Sequence, residues 1–338
     1  MSGRVNPPVI PSPPSRRPAP EAFAEWLRAY VFKDRNGKLP PGLELQYHSR
    51  SDIHSKKLGE LIVEDLMATC EVLAAHARAG RIAYGINARH TWSNGKQKTI
   101  DLAIGIPDAD LGPCHTGIHS LPSKARFERL LIACEEKAVM TEHGKSQPRV
   151  YSELNDSHTM VHQGDRATIA AAITMVNVAR SFISPLRQRP DKEVEVTLHN
   201  QPWVAQSMVA HLRKLPRRGI ADAIGLDAYC SFVIDADNQG HVAAHDAPPA
   251  PQPGEVDHYE SFLSDICATY TERFGDLDHL PPQHGLSLEE AFGRVAHENP
   301  GLLRRIAEDL LVAEGAGTKE LAALLDAMDV LPPAPDDL

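Results

Sequence analysis

The chain has 338 residues, with 35 lysines and arginines against 45 aspartates and glutamates, for a formal net charge of −10. That balance argues against a protein that coats nucleic acid by bulk electrostatics, and no run approaches the roughly 18 consecutive apolar residues of a membrane span. Apolar content of 42% suits an ordinary soluble protein, long enough for one large core or two modest ones.

The first 20 residues hold seven prolines and no apolar signal-peptide core, and they read as a disordered tail. A helix follows from Pro20-Glu21 to Val31, then a loop over 38–42. Residues 51–78 predict a second helix, because Leu58, Leu61, Ile62, Leu66, Thr69, Val72 and Leu73 recur at helical spacing. Asp65 lies inside that stripe, whereas Glu60, Glu64 and Glu71 fall opposite. An acid on an apolar face costs free energy unless it is paired or binds metal.

Residues 81–89 read as a strand, and Ser93-Asn94-Gly95-Lys96 as a hairpin turn with Asn-Gly supplying positive φ. The turn joins this strand antiparallel to the run at 97–106, which carries Asp101 among apolar residues. A long loop over 107–125 contains His115 and His119, a pair with neither a helix nor a third ligand to make a zinc site. A third strand spans 129–139. Its apolar run Leu130-Leu131-Ile132-Ala133-Cys134 ends in Glu135-Glu136-Lys137. Alternation places Glu135 and Lys137 on one face and Glu136 on the other. Two carboxylates on neighbouring strands can hold a hard divalent cation, and a lysine beside them can orient a water.

A helix is expected from about residue 141. On it Lys145 and Arg149, four apart, share a face beside the strand end, where they can hold a phosphate. The apolar segment 165–183 reads as a core helix, 193–199 as a strand, and 205–215 as a helix ending in the basic cluster Arg213, Lys214, Arg217 and Arg218. Residues 231–235 and 241–244 form a hairpin. Four prolines within 247–254 mark a linker, expected over 247–256. Beyond it, 257–330 reads as a helical extension with segments at 256–274, 287–297, 301–313 and 318–328. Its amphipathic face at Leu302, Leu303, Ile306, Leu310 and Leu311 suits a small bundle or a homodimer surface. Residues 331–338 form an acidic tail. The cysteines Cys70, Cys114, Cys134, Cys230 and Cys267 are scattered without a Cys-x-x-Cys pair, which predicts reduced thiols in a cytoplasmic protein.

The succession over residues 50–180 resembles the PD-(D/E)xK phosphodiesterase superfamily: a helix with an acid, a strand, a strand with Asp, a strand with Glu-x-Lys, then a helix. One departure is Ile100, where the pattern often carries proline before the aspartate. Gln147 and Tyr151 also echo a Gln-x-x-x-Tyr feature of some relatives, interrupted by Pro148.

The resemblance implies a restriction-endonuclease-like α/β fold, a mixed sheet flanked by helices, over 21–246. It implies a Mg²⁺- or Mn²⁺-dependent endonuclease that hydrolyses double-stranded DNA, in a restriction or antiviral role. Asp101 and Glu135 would bind metal, with the Glu136 carbonyl and Asp65 completing the site, and Lys137 would act on the water. Lys145, Arg149 and the 213–218 cluster would contact DNA. Two other readings stay open: a catalytically silent DNA-binding or interaction protein of the same fold, and an unrelated small-molecule enzyme.

Overall fold

A computed structural model describes residues 17–34, 37–115, 117–218 and 224–280. The chain divides into two compact units, Met1–Gln283 and His284–Leu338. The helices expected at 287–297, 301–313 and 318–328, the tail at 331–338 and residues 1–16 of the N-terminal tail lie outside the described residues; a helix begins at Ala19, inside the stretch expected to be disordered.

The first unit is a mixed α/β structure built on a seven-stranded sheet. Its strands are β1 (Ala83–Thr91), β2 (Gln97–Pro107), β3 (His119–Leu121), β4 (Phe127–Val139), β5 (Ile169–Asn177), β8 (Ala228–Ala236) and β9 (Val242–Ala244), in the order β3-β1-β2-β4-β5-β8-β9. The β1-β2-β4 meander is antiparallel, β4-β5-β8 is parallel, and β9 returns antiparallel on β8. A separate pair, β6 (Ser181–Phe182) with β7 (Thr197–Leu198), replaces the longer strand expected at 193–199.

One face of the sheet carries α1 (Ala19–Ala29), α2 (Ile53–Thr69), α3 (Glu71–Arg78) and α6 (Tyr259–Phe274) around the main core, which includes Phe23, Ile62, Leu66, Leu102, Ile173, Phe232 and Phe262. On the other face, α4 (His143–Gly164) and α5 (Trp203–Leu212) enclose two smaller clusters.

Several expectations need correction. The segment 165–183 is a strand, not a helix: all nine residues of β5 are buried. A parallel strand covered on both faces has no alternation, and a short apolar run does not declare its period. The helix expected over 51–78 breaks at Cys70, whose backbone is extended (φ −113°, ψ 93°), giving α2 and α3. Cys70 is disulfide-bonded to Cys267 of α6, with Cα atoms 5.4 Å apart. The expectation of wholly reduced thiols fails here because a 197-residue separation leaves no local signature. Residues 247–256 do not separate two domains, since α6 buries Tyr259, Phe262, Ile266 and Phe274 in the core of the first unit. Among the described residues, no helix is long and apolar enough to cross a membrane.

Candidate active site

Strands β2 and β4 stay hydrogen-bonded only as far as Leu102 opposite Cys134. Beyond that point β2 continues on β1 to Gln97, while β4 continues on β5 to Val139. The strands part there, and Asp101 and Glu135 stand at the fork. The Glu136 amide, leaving the ladder, donates to Asp101 Oδ2 at 2.8 Å, so a side chain satisfies a backbone donor that the missing strand pair would leave orphaned.

A second irregularity lies at the same level. Asn87, between the pairs Ile86–Leu102 and Ala88–Ile100, has a left-handed backbone (φ 51°) and falls opposite Asp101 in this register. Asn is among the few side chains that tolerate this region. Strict alternation would put residues 86 and 88 on one face. Instead Ile86 and Leu102 pack with the α2-side core, and Ala88 and Ile100 with the α4-side cluster. Both strands therefore change phase at the Asn87–Asp101 level.

Glu135 is buried and held from several sides. Lys137 Nζ donates to its Oε1 at 2.5 Å, Lys98 Nζ lies 3.0 Å from Oε2, and Ser157 Oγ of α4 donates to Oε2 at 3.1 Å. Burial alone would raise the Glu135 carboxyl, but Lys137 and Lys98 outweigh it and hold the group below the usual range. The same pairing holds Lys137 protonated above its ordinary value despite burial. Lys137 also lies 3.7 Å from Glu153, which accepts from Arg149 at 2.9 Å. Arg149, Glu153 and Ser157 are four apart and form one stripe of α4.

Asp101 behaves oppositely: burial first, then the Glu135 charge, pushes its carboxyl up to about 6. Glu136 points to the other face, under α2. Among the described residues neither of its carboxyl oxygens has a hydrogen-bond partner, and burial followed by the charges of Asp101 and Glu135 raises its pKa well above the ordinary range. Gly59 of α2 makes room for it; a Cβ there would lie 3.0 Å from Glu136 Oε1.

A cleft of about 310 Å³ opens at the fork, lined by Asp101, Glu136, Lys137, Arg149 and Glu153 and, from the α2 side, by His54 and Leu58. His54 Nε2 accepts from the His48 amide at 3.1 Å, and its Nδ1 has no partner among the described residues. Burial pushes this imidazole down to about 4, so it is neutral at pH 7.

The structure thus brings Asp101, Glu135, Lys137 and Arg149 together. Lys98, Ser157, Glu153 and His54 are contributors that sequence reasoning missed. Asp65 is buried as its helical phase requires, but it serves another purpose: its Oδ2 accepts from the Ala19 amide of α1 at 2.6 Å and from Tyr259 Oη at 2.9 Å. It does not line the cleft, so its expected place beside a metal is corrected.

The basic residues also divide. Lys145 is exposed and pairs with Glu142 at 3.2 Å. Arg213 is engaged by Glu255 and Asp257 at 2.6 and 2.9 Å. Arg217 donates to the Tyr229 and Val256 carbonyls and stacks on the Tyr229 ring, and Arg218 donates to the Arg166 carbonyl. Of the expected DNA-binding cluster only Lys214 remains exposed without an ion pair among the described residues. Gln147 and Tyr151 reach away, to Ser207 and to the Lys214 carbonyl, and tie α4 to α5 and the turn after it. His119 Nε2 bonds the Gly112 carbonyl at 3.1 Å.

Among the described residues no group of three or more His, Cys, Asp or Glu side chains is arranged to hold a metal ion. No family model, no curated protein and no solved structure matches this chain.

Proposed function

We propose that this protein is a metal-dependent nuclease of restriction-endonuclease-like architecture that hydrolyses DNA phosphodiester bonds, with a role in restriction or phage defence. The observation that carries the reading is the meeting of Asp101, Glu135 and Lys137 where the two antiparallel strands β2 and β4 fork.

The residues fit a hard divalent cation such as Mg²⁺ or Mn²⁺. Asp101 sits buried beside a second carboxylate, with its pKa raised by burial first and then by the Glu135 charge. A cation between the two acids would relieve that repulsion. Asp101 and Glu135 would supply the ligands, with the Glu136 carbonyl and water filling the remaining positions, since hard cations take oxygen donors in mixed sets. When bound, such a cation supplies Lewis-acid polarisation of the phosphate and acidification of water.

The chain's own residues do the rest. Lys137, held protonated by Glu135, donates a hydrogen bond to the attacking water or to a phosphate oxygen and offsets charge as it develops. Lys98 and Ser157 fix the Glu135 carboxylate. Arg149, on the cleft wall, offers a guanidinium to the scissile phosphate. Burial under α2 raises the Glu136 carboxyl well above its ordinary range and so opposes a further negative charge beside the substrate.

The test is cleavage of plasmid DNA by the purified chain with and without Mg²⁺. Wild type is expected to nick, Asp101→Ala and Glu135→Ala to lose cleavage while staying folded, and Lys137→Ala to lose most turnover. Wild-type nicking by either carboxylate variant would refute the assignment. A second reading, a catalytically silent DNA-binding protein of the same fold, is favoured by one observation: Lys98, Lys137 and Ser157 already occupy both Glu135 oxygens. Mg²⁺ at millimolar concentration raises the melting temperature of the wild type but not of Asp101→Ala under the nuclease reading, and of neither under the silent one.

A further inference from the structure

A second concavity, about 860 Å³, adjoins the cleft and shares Ser51 with it. Its wall comes from the chain after α1, the start of α2 and the segment at 185–188. Three cations project into it: Lys33, Lys38 and Arg50. All are exposed, and among the described residues none enters an ion pair. Two acids also line it, but Asp34 accepts from the Leu39 amide and Asp52 pairs with Lys56. Burial first, and then Arg50, lowers the pKa of the His48 imidazole there.

The remaining wall is aromatic and apolar. Phe32 stacks on His48 with ring centroids 4.5 Å apart and planes 20° from parallel. Tyr30 lines the same groove, and Val31 and Leu186 are 44% and 52% exposed. The aromatic row continues into the neighbouring cleft through His54, which stacks on Tyr47 with centroids 4.7 Å apart.

We infer that this groove binds an unpaired nucleic-acid strand and delivers it to the acid fork, an inference that rests on the nuclease reading for what the strand is delivered to. A duplex presents phosphates and hides its bases, so it needs cations but has no use for exposed Val31 and Leu186 or a stacked Phe32. An unpaired strand presents both. Cations that track a backbone, interleaved with rings on which bases stack, form the binding surface that single strands require. The volume lies within the range of built ligand sites. The substrate is therefore DNA with a single-stranded segment next to the scissile bond.

Anisotropy of the full chain tests this, using a fluorescent oligothymidylate of about 12 nucleotides, within the span of known single-strand sites, and a blunt duplex of equal length, both in EDTA. The strand should bind at least tenfold more tightly than the duplex. The triple variant Lys33→Glu, Lys38→Glu, Arg50→Glu should weaken strand binding by tenfold or more and flatten the salt dependence by about two log units per log unit of salt, from ~0.7 per phosphate. Phe32→Ala should weaken it about fivefold or more, the lower end of base stacking, and leave the salt slope unchanged. A triple variant that melts like the wild type and binds the strand equally well overturns the inference, as does tighter binding of the duplex. Cleavage with Mg²⁺ separates the two readings. A chain that binds the strand through these residues but cuts nothing refutes the nuclease alone. A chain that cuts DNA at the wild-type rate without these cations refutes the groove alone.

Discussion

At the scale of single residues, Asp101 is a group whose ionisation the fold resists. Its carboxyl rises from 3.8 to about 6 through burial and the Glu135 charge. A carboxyl raised by folding adds no pH dependence below about pH 4, where it is protonated in both states. As pH climbs from about 4 to 6 the unfolded chain loses its proton first and stability falls, and above about 6 the loss is complete. Asp101→Asn keeps an oxygen to accept the Glu136 amide and removes the charge. In metal-free buffer it should melt higher than the wild type at pH 8 and level with it at pH 4; equal melting at both would show that Asp101 carries no such burden. Because a bound cation opposes that protonation, raising Mg²⁺ should move the acid-side fall in cleavage to lower pH; a pH profile independent of Mg²⁺ would contradict Asp101 as a ligand. Asp101, Glu135 and Lys137 were legible in the sequence because each interrupts an apolar run. Lys98 was not, because strict alternation puts it on the wrong face, and only the phase change at Asp101 turns it toward Glu135. Asp65 was legible as a buried acid, but nothing in a helix stripe says whether such an acid meets a metal or, as here, the first amide of another helix and a tyrosine.

At the scale of elements, the site depends on two local departures from regular geometry. Asn87 holds a left-handed conformation within β1, at the level where the strands change phase. Asn87→Gly should leave stability within about 0.5 kcal/mol of the wild type, because glycine enters this region freely. Asn87→Val should cost about 1–2 kcal/mol and reduce cleavage, since a β-branched residue would pull β1 back to regular pairing and shift Asp101. Denaturant unfolding with a cleavage assay on both variants checks this, and a fully active, stable valine variant would sever the phase change from the site. The second departure is Gly59, which lets α2 seat against the sheet; a Cβ there would lie 2.7 Å from Ile86 Cδ1. The meander β1-β2-β4 was legible in the sequence because an Asn-Gly turn and interrupted apolar runs are local signals. Strand β5 was not, because burial on both faces erases the alternation by which strands are recognised. Nor was the break at Cys70, where the apolar stripe runs on through the extended residue.

At the scale of the whole molecule, a chain of net charge −10 can approach DNA only if its cations are gathered and left free, and this fold spends many of them internally. A basic run such as 213–218 reads in one dimension as a contact surface. In three dimensions Arg217 and Arg218 serve backbone carbonyls, and Arg213 braces the segment before α6. Asp257, its partner, is 1% exposed at the side chain, and its carbonyl accepts from the Ser231 amide of β8. Removing the guanidinium would strand a buried carboxylate, at a cost of about 2 kcal/mol. Arg213→Ala should therefore melt several degrees lower while binding an oligonucleotide at wild-type affinity below its transition. Lys33→Glu should do the reverse, keeping the melting temperature and losing affinity. The contrast separates a cation that holds the protein together from one that meets a ligand. If Arg213→Ala instead lost DNA affinity without losing stability, the cluster would belong to the binding surface, and Glu255 and Asp257 would have to release it when DNA arrives.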